Sequence, residues 1–234
     1  MNKRLPIVCA ALSLVLSVAS FTPGATMAAQ CDSSPVPGID WRECSKDNIM
    51  LQAVDLEGAV LTGADFSLTD LSGANLASAK LEKANLVRAS LADAKAQKAD
   101  FAKAEAYRAS FARIAAEGAS FAGAELQRAD FTEAMLANSD FEKAELGRAN
   151  FQKAVLTGAR FSLANLSRAS LQGATTGGPI DFDRAFMYLT RLEGLDLSAA
   201  TGLEQAQIDL ACGDEATKLP AGLSTPKGWP CASE

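Results

Sequence analysis

Large apolar residues recur at every fifth position over more than half of the chain. Stepping by five from Leu51, the sequence places a leucine, phenylalanine or alanine at 25 consecutive centres, up to Leu171. Two residues before each centre lies a small residue, nearly always alanine, and the residue directly before the centre is often Asp, Asn, Glu or Ser. The pattern predicts one structural unit for every five residues.

A period of five fits neither a long helix nor a long strand. Helical residues five apart point about 140° away from each other, and strand residues five apart lie on opposite faces. The chain must therefore turn once in each unit, with the alanine and the centre facing inward and two residues forming a corner. Stacked turns then pair their backbones with the coils above and below, at a spacing of about 4.8 Å.

This unit resembles the Ala-(Asp/Asn)-Leu-X-X repeat of the pentapeptide-repeat family. The matching triplets are Ala-Asn-Leu at 74–76, 84–86 and 164–166, and Ala-Asp-Phe at 64–66, 99–101 and 129–131. The resemblance covers residues 49–199. It implies an all-β fold, a right-handed quadrilateral β-helix. The number of repeats gives about seven coils, and we expect a short C-terminal helix to cap them.

The bulky residues agree with a four-sided coil. Phenylalanines recur at every tenth position, which predicts one stack on each of two opposite sides. The two stacks are Phe101, Phe121, Phe141 and Phe161, and Phe111, Phe131 and Phe151. Ala96, Ala106 and Ala116 fall between phenylalanines, so large residues beside small ones keep the core volume constant.

The register breaks once and both ends depart from it. After residues 175–179 it resumes one residue out of phase at Phe182, which predicts a one-residue bulge or corner loop before a final coil. An open coil exposes apolar surface and strand edges, so we expect an N-terminal cap over 30–48 and a C-terminal cap over 200–234. Residues 201–204 match a capping box that opens a helix through about Ala211. The segment 201–214 also looks like the C-terminal extension of many bacterial family members.

The N-terminal segment, 1–29, has the pattern of a secretory signal peptide. Lys3 and Arg4 precede an apolar run over 5–21, and small residues follow at 25–29. We expect cleavage after residue 28 or 29, a periplasmic or secreted protein, and no membrane span after cleavage. An uncleaved anchor is the alternative, although the run is shorter than the roughly 20 residues that a spanning helix needs.

The cysteines favour export. Once Cys9 leaves with the signal, four remain, one pair near each end of the mature chain. An oxidising compartment favours the local disulfides Cys31–Cys44 and Cys212–Cys231, because a solenoid holds its two ends too far apart for the other connectivities. The sequence has no histidine and no C-x-x-C spacing, which disfavours zinc. We expect no metal and no other cofactor.

One corner of the predicted coil carries an arginine at every twentieth position. We call this set the arginine column: Arg88, Arg108, Arg128, Arg148 and Arg168. Three residues earlier in each coil lie Asn85, Glu105, Glu125, Glu145 and Asn165. The two sets form either a self-neutralised ladder of ion pairs or, on the arginine side, an interaction strip for an acidic partner. The partner would be an unidentified protein or an anionic glycan.

The net charge and the composition exclude several classes of function. The formal net charge of −6 becomes −8 when Lys3 and Arg4 leave with the signal, which argues against nucleic acid or anionic membrane as a partner. The lack of histidine removes the Ser-His-Asp and Cys-His nucleophile systems. We therefore expect no catalytic residue and a noncatalytic structural or protein-interaction scaffold in the cell envelope.

Three other outcomes stay open. If the chain is not exported, the resemblance implies a DNA mimic that protects a type II topoisomerase from quinolones, as some acidic family members do. A polysaccharide-active β-helix enzyme is the second alternative, with Asp181 and Asp183 as candidate acids, although a loop turn explains them better. The resemblance also allows a homodimer through the C-terminal cap.

Overall fold

The computed structural model describes residues 29–231, and over most of this range the chain forms a four-sided tube. Each side of a coil contributes one β-bridge residue. From Asp40 to Ser170, parallel bridges join each such residue to the one four units later, as in Asp100 to Ser120. One column of bridges starts at Asp40, passes through Val60 and reaches Thr201. The predicted coil of four five-residue units is therefore confirmed.

The inward positions are those that the period predicts. Leu86 and Leu91 are fully buried at centres, and Ala84 and Ala94 are fully buried two residues before them. The interior is thus a continuous column of leucine, phenylalanine and alanine side chains along the tube. Burial of this apolar surface is the main driving force for such a fold.

Each corner is a four-residue turn. The N–H of Ala59 donates to the carbonyl of Leu56 at 3.0 Å, and the same bond closes the other regular corners. In the turns from Glu43 to Gly194 the third residue has a left-handed φ, between 52° and 61° where it is not glycine. The residue before the centre shapes the next turn, because Asp65 Oδ1 accepts the N–H of Ser67 at 2.9 Å. This bond explains why Asp and Asn recur at that position.

The phenylalanines form the two predicted stacks. Phe101 and Phe121 lie 4.8 Å apart between ring centroids with planes 2° apart, and Phe111 and Phe131 lie 4.7 Å apart. Rings from opposite stacks meet edge to face, as Phe121 and Phe131 do at 5.6 Å. Aromatic pairs favour both arrangements. Ala96, Ala106 and Ala116 are fully buried, as the volume argument requires.

The one-residue slip lies where the register breaks. Val155 pairs with Thr175, which is the regular step of four units, whereas Arg160 pairs with Asp181, one position beyond that step. The extra residue is absorbed between these two rungs. Thr176 Oγ1 donates to the carbonyl of Asp196 at 2.6 Å and Ile180 is fully buried, so both ends of the loop are held against the tube.

The tube begins earlier than residue 49. Bridges already join Asp40 to Val60 and Ser45 to Asp65, and Trp41 is buried at a centre position. Of the predicted cap over 30–48, only the part before Asp40 covers the end. Gln30 holds it there, since its N–H donates to the Asp40 carbonyl at 2.7 Å and its carbonyl accepts the Trp41 indole N–H at 3.1 Å.

The C-terminal helix, α1 (Gln205–Leu210), is shorter than predicted. Its capping box uses Glu204 and Gln207, because Thr201 is bound into the bridge ladder opposite Asp181. The amide of Gln207 donates to the carbonyls of Phe182 and Ala185, both at 2.9 Å. These bonds dock α1 onto the last coil, and beyond it bridges at Cys212 and Lys218 continue the ladder.

Candidate functional site

Both predicted disulfides are present, one at each end of the tube. Cys31 joins Cys44 with 5.4 Å between Cα atoms, and Cys212 joins Cys231 with 5.5 Å. The first ties the N-terminal segment to the opening coil, and the second ties the tail across the end of α1. The Trp229 indole donates to the carbonyl of Ala211 at 2.7 Å and so packs beside the second disulfide.

The five residues of the arginine column occupy the third turn position of successive coils. Their backbone N–H groups donate to the coil above, as Arg108 does to Gln127 at 3.1 Å and Arg128 to Gly147 at 2.9 Å. All five have a left-handed φ, between 57° and 60°. That conformation costs a residue with a Cβ roughly 1–2 kcal/mol, which glycine avoids. Turn chemistry alone therefore does not explain five arginines here.

Four residues of the arginine column differ in their ion pairs from the arginines outside it. Outside the column, every arginine within 29–231 pairs with a carboxylate: Arg42, Arg113, Arg160, Arg184 and Arg191. Arg88, Arg108, Arg128 and Arg148 make no ion pair with any residue of that range, and Arg108 lies 5.2 Å from the ring of Tyr107. Hence the predicted self-neutralised ladder is not formed at these four positions.

The next corner shows what such a ladder looks like. There the third turn position alternates in sign through Asp93, Arg113, Glu133 and Lys153; we call this set the paired corner. Arg113 binds Asp93 at 2.6 Å, and Lys153 lies 3.6 Å from Glu133. The hydrogen bond from Arg113 lowers the pKa of Asp93. The contrast distinguishes Arg88, Arg108, Arg128 and Arg148, which pair with no carboxylate of residues 29–231, from the charged residues of the paired corner.

The same side of the tube carries a second, acidic column. Glu105, Glu125 and Glu145, which we call the glutamate column, form consecutive bridge rungs and have exposed side chains. Glu145 accepts a hydrogen bond from Asn165 at 2.8 Å. Between the two charged columns runs a central column: Tyr107, Gln127, Gly147, Ser167 and Tyr188.

Two exposed aromatic residues lie at the C-terminal end of this side. The sequence pattern had not drawn attention to them. Phe186 continues the glutamate column and Tyr188 ends the central column; their side chains are 51% and 43% exposed. The two rings lie 6.4 Å apart with planes 12° apart. Their positions in the repeat were readable from the sequence, because both fall at outward positions of the shifted register that starts at Phe182.

Asp181 and Asp183, the candidate acids of an enzyme, serve the turn. Asp181 Oδ1 accepts the N–H of Asp183 at 2.9 Å, the same bond that regular coils make. A shallow cleft of about 300 Å³ lies next to the slipped loop and is lined by Thr176, Gly177, Gly178, Asp196, Ser198 and Ala199. Within residues 29–231 no cluster of metal-binding side chains occurs. Over the same range no helix is long and apolar enough to cross a bilayer.

The sequence model of pentapeptide repeats matches the chain in eight copies, over residues 51–86, 84–121, 109–152 and 144–175. The chain belongs to the pentapeptide-repeat family. Members of this family are generally noncatalytic structural or interaction proteins. A comparison with curated proteins found no match.

Solved structures share the fold. HetL, a pentapeptide-repeat protein involved in heterocyst differentiation regulation in the cyanobacterium Nostoc sp. strain PCC 7120, is 25% identical with a TM-score of 0.51, over 80% of this chain and 91% of its own. A trypsin-treated variant of QnrB1, a plasmid-mediated fluoroquinolone resistance protein, is 22% identical with a TM-score of 0.60, over 76% and 87%. The fold is the right-handed quadrilateral β-helix that the family resemblance implies.

Proposed function

We propose that this protein is an exported, noncatalytic scaffold of the cell envelope that presents rows of side chains to a partner. The observation that carries the proposal is the pair of disulfides, which tie down both ends of the tube. Disulfides persist in oxidising compartments and are rare in the cytosol. The signal-like pattern over residues 1–29, which lies outside the described residues except for Ala29, supports the same compartment.

The filled interior supports a scaffold. Phenylalanine and leucine side chains occupy the tube axis at full burial, so chemistry and recognition are left to the outer surface. On that surface each outward position repeats at the coil spacing, which gives straight columns on a rigid support. The arginine and glutamate columns, with the central column between them, are the side that we assign to a partner.

Cell fractionation tests the export. When the full chain is expressed, we expect to recover the processed protein from the periplasm or the medium. Mass spectrometry should show that this protein begins at residue 29 or 30. Its four remaining cysteines should resist alkylation until a reductant is added. A matched variant with Leu14→Arg and Leu16→Arg disrupts the apolar run and should stay in the cytosol. Recovery of the uncleaved wild-type chain in the cytosol with alkylatable thiols would contradict the proposal.

A further inference from the structure

We infer that the side carrying the arginine and glutamate columns binds a second copy of this chain, with the two tubes side by side and parallel. The inference rests on the proposed function only in treating this side as an interaction surface, and it does not depend on export. The interface differs from one through the C-terminal cap, because it runs along the wall of the tube and reaches the cap only at Leu210.

The two charged columns make this side self-complementary. The chain crosses the side from the glutamate column through the central column to the arginine column, so opposite charges lie on opposite sides of one line. A twofold axis parallel to the tube exchanges left and right. It therefore places the arginine column of each copy against the glutamate column of the other, at equal height. Four of the arginines have no ion pair within residues 29–231, which leaves them available for this pairing.

The charges also select one orientation. A twofold axis perpendicular to the tube would place arginines against arginines and glutamates against glutamates. Like charges across an interface cost several kcal/mol and exclude the wrong arrangement. Exposed ion pairs contribute little affinity individually, so the columns set register and direction, and other contacts must supply most of the affinity.

Exposed apolar residues are concentrated on the same side. Five of the ten large exposed hydrophobic side chains of the described range lie there: Leu68, Tyr107, Phe186, Tyr188 and Leu210. Leu68 precedes Arg88 at one end of the charged columns, and Tyr107 lies between the columns. Phe186, Tyr188 and Leu210 lie at the other end, where the Leu210 carbonyl accepts the N–H of Leu189 beyond Arg168. The side from Leu68 to Leu189 is about 29 Å long at the strand spacing. Exposed aromatic residues of this kind are typical anchors of protein interfaces.

Gly147, at the middle of the central column, is not required by the tube itself. Its φ is not left-handed, and an added Cβ would make only ordinary contacts, the nearest being Ser167 Oγ at 3.6 Å. Tyrosine occupies the same turn position at Tyr107 and Tyr188. In the proposed pair the central column lies along the twofold axis, so Tyr107 and Tyr188 of the two copies meet there, and Gly147 leaves room between these two contacts.

Two charge-swapped variants test the pairing. The first changes Arg108, Arg128 and Arg148 to Glu, and the second changes Glu105, Glu125 and Glu145 to Arg. Both should fold, because Glu43 and Glu133 already occupy the turn position and Arg160 and Arg191 the bridge position. Sedimentation of purified protein at up to about 100 µM should show a wild-type dimer that weakens with salt. Each variant alone should associate at least about 100-fold more weakly, and an equimolar mixture should form a 1:1 dimer.

Two controls complete the test. Lys83, Lys103 and Lys143 hold the same turn position at another corner, so changing all three to Glu should leave the dimer intact. The double change Tyr107→Ala and Tyr188→Ala, in contrast, should weaken the dimer with little change in the melting temperature, because both side chains are partly exposed in one copy. A wild-type protein that stays monomeric, or that binds polygalacturonate through the arginine column instead, would overturn the inference. So would a mixture of the two charge-swapped variants that does not associate. An exported monomer would contradict only this inference, and a cytosolic dimer only the proposed function.

Discussion

The middle of the tube and its two ends are stabilised in different ways. Between residues 101 and 161 each coil packs against near-copies of itself, with stacked phenylalanine rings 4.7 to 5.0 Å apart. The ends depend on features that occur once: Trp41 under the N-terminal segment, α1 on the last coil, and one disulfide at each. The repeated residues thus stabilise the interior of the tube, whereas residues outside the repeat cover and stabilise its two ends.

The largest expected effect is in the middle. Phe131 stacks on Phe111 and Phe151 and meets Phe121 and Phe141 edge to face. Phe131→Ala should lower the free energy of unfolding by about 3–5 kcal/mol, since the rigid neighbours cannot close the cavity. Chemical denaturation followed by circular dichroism measures the change. The exposed Phe186→Ala should change it by less than about 0.5 kcal/mol; equal losses would show that the stack is not a packed core.

Loss of the C-terminal disulfide should be a local effect. The bond closes a loop over a sequence separation of 19, for which chain entropy gives about 3 kcal/mol. In the Cys212→Ala, Cys231→Ala protein we expect faster hydrogen exchange over residues 205–231 and unchanged exchange over 101–161. Coils contact only their neighbours, so fraying at one end should not spread far. Equal acceleration in the middle would contradict the separation of ends from interior.

Gly58 and Gly158 hold the same turn position in one column of the tube, but their surroundings differ. Gly58, near the start of the tube, has φ 63° and open space where a Cβ would lie, whereas a Cβ on Gly158 would collide with the Asn138 side chain of the coil below. Gly58→Ala should cost about 1 kcal/mol for the left-handed φ alone. Gly158→Ala should cost about 1 kcal/mol more, because Asn138 must move. Thermal melts of the two single variants measure this difference in stability. The double variant Gly158→Ala, Asn138→Gly should regain the stability that is lost through the collision with Asn138.

The smallest expected effect is an acid-sensitive contact at the C-terminal end. The hydrogen bond from Lys218, 2.8 Å away, and those from Ser198 lower the pKa of Asp196 to about 2. Because the folded pKa lies below the unfolded value of 3.8, the contact stabilises the fold above about pH 4 and loses its effect as pH falls through about 2. Carboxyl titration by NMR should show this low pKa, and Lys218→Met should raise it. A wild-type Asp196 that titrates near 4 would contradict the contact.

The repeat made the interior predictable from sequence. A five-residue period fixes which side chains point inward, and the recurrence of phenylalanine at every tenth position places the two stacks on opposite sides. The slip at residues 175–179 was predictable because the register resumes visibly at Phe182. The pairing of cysteines followed from the length of the tube, which keeps its ends apart.

The ends were less predictable because they use single residues in place of a pattern. Trp41 and Lys46 hold centre positions but do not match the Leu or Phe of other coils, so the first coil was assigned to the cap. Lys46 fits because its amine lies over the Trp41 ring, 4.0 Å from the centroid. Likewise, the residues around Thr201 match the pattern of a helix start, but Thr201 forms a bridge with Asp181 in the tube and the helix begins later. The lack of ion pairs between Arg88, Arg108, Arg128 or Arg148 and any residue of 29–231 depends on side-chain geometry that no pattern encodes.

A distance measured along the tube would show whether each coil contains four five-residue units. Lys83 and Arg184 lie in one corner column, and each can be replaced by a cysteine that carries a spin label. The native cysteines of the described range are held in disulfides, so they do not take up the label. Five coil steps separate the two positions, so the account predicts about 24 Å between their backbones by pulsed electron resonance. A three-sided coil of the same units would give about 32 Å, and that result would contradict the account.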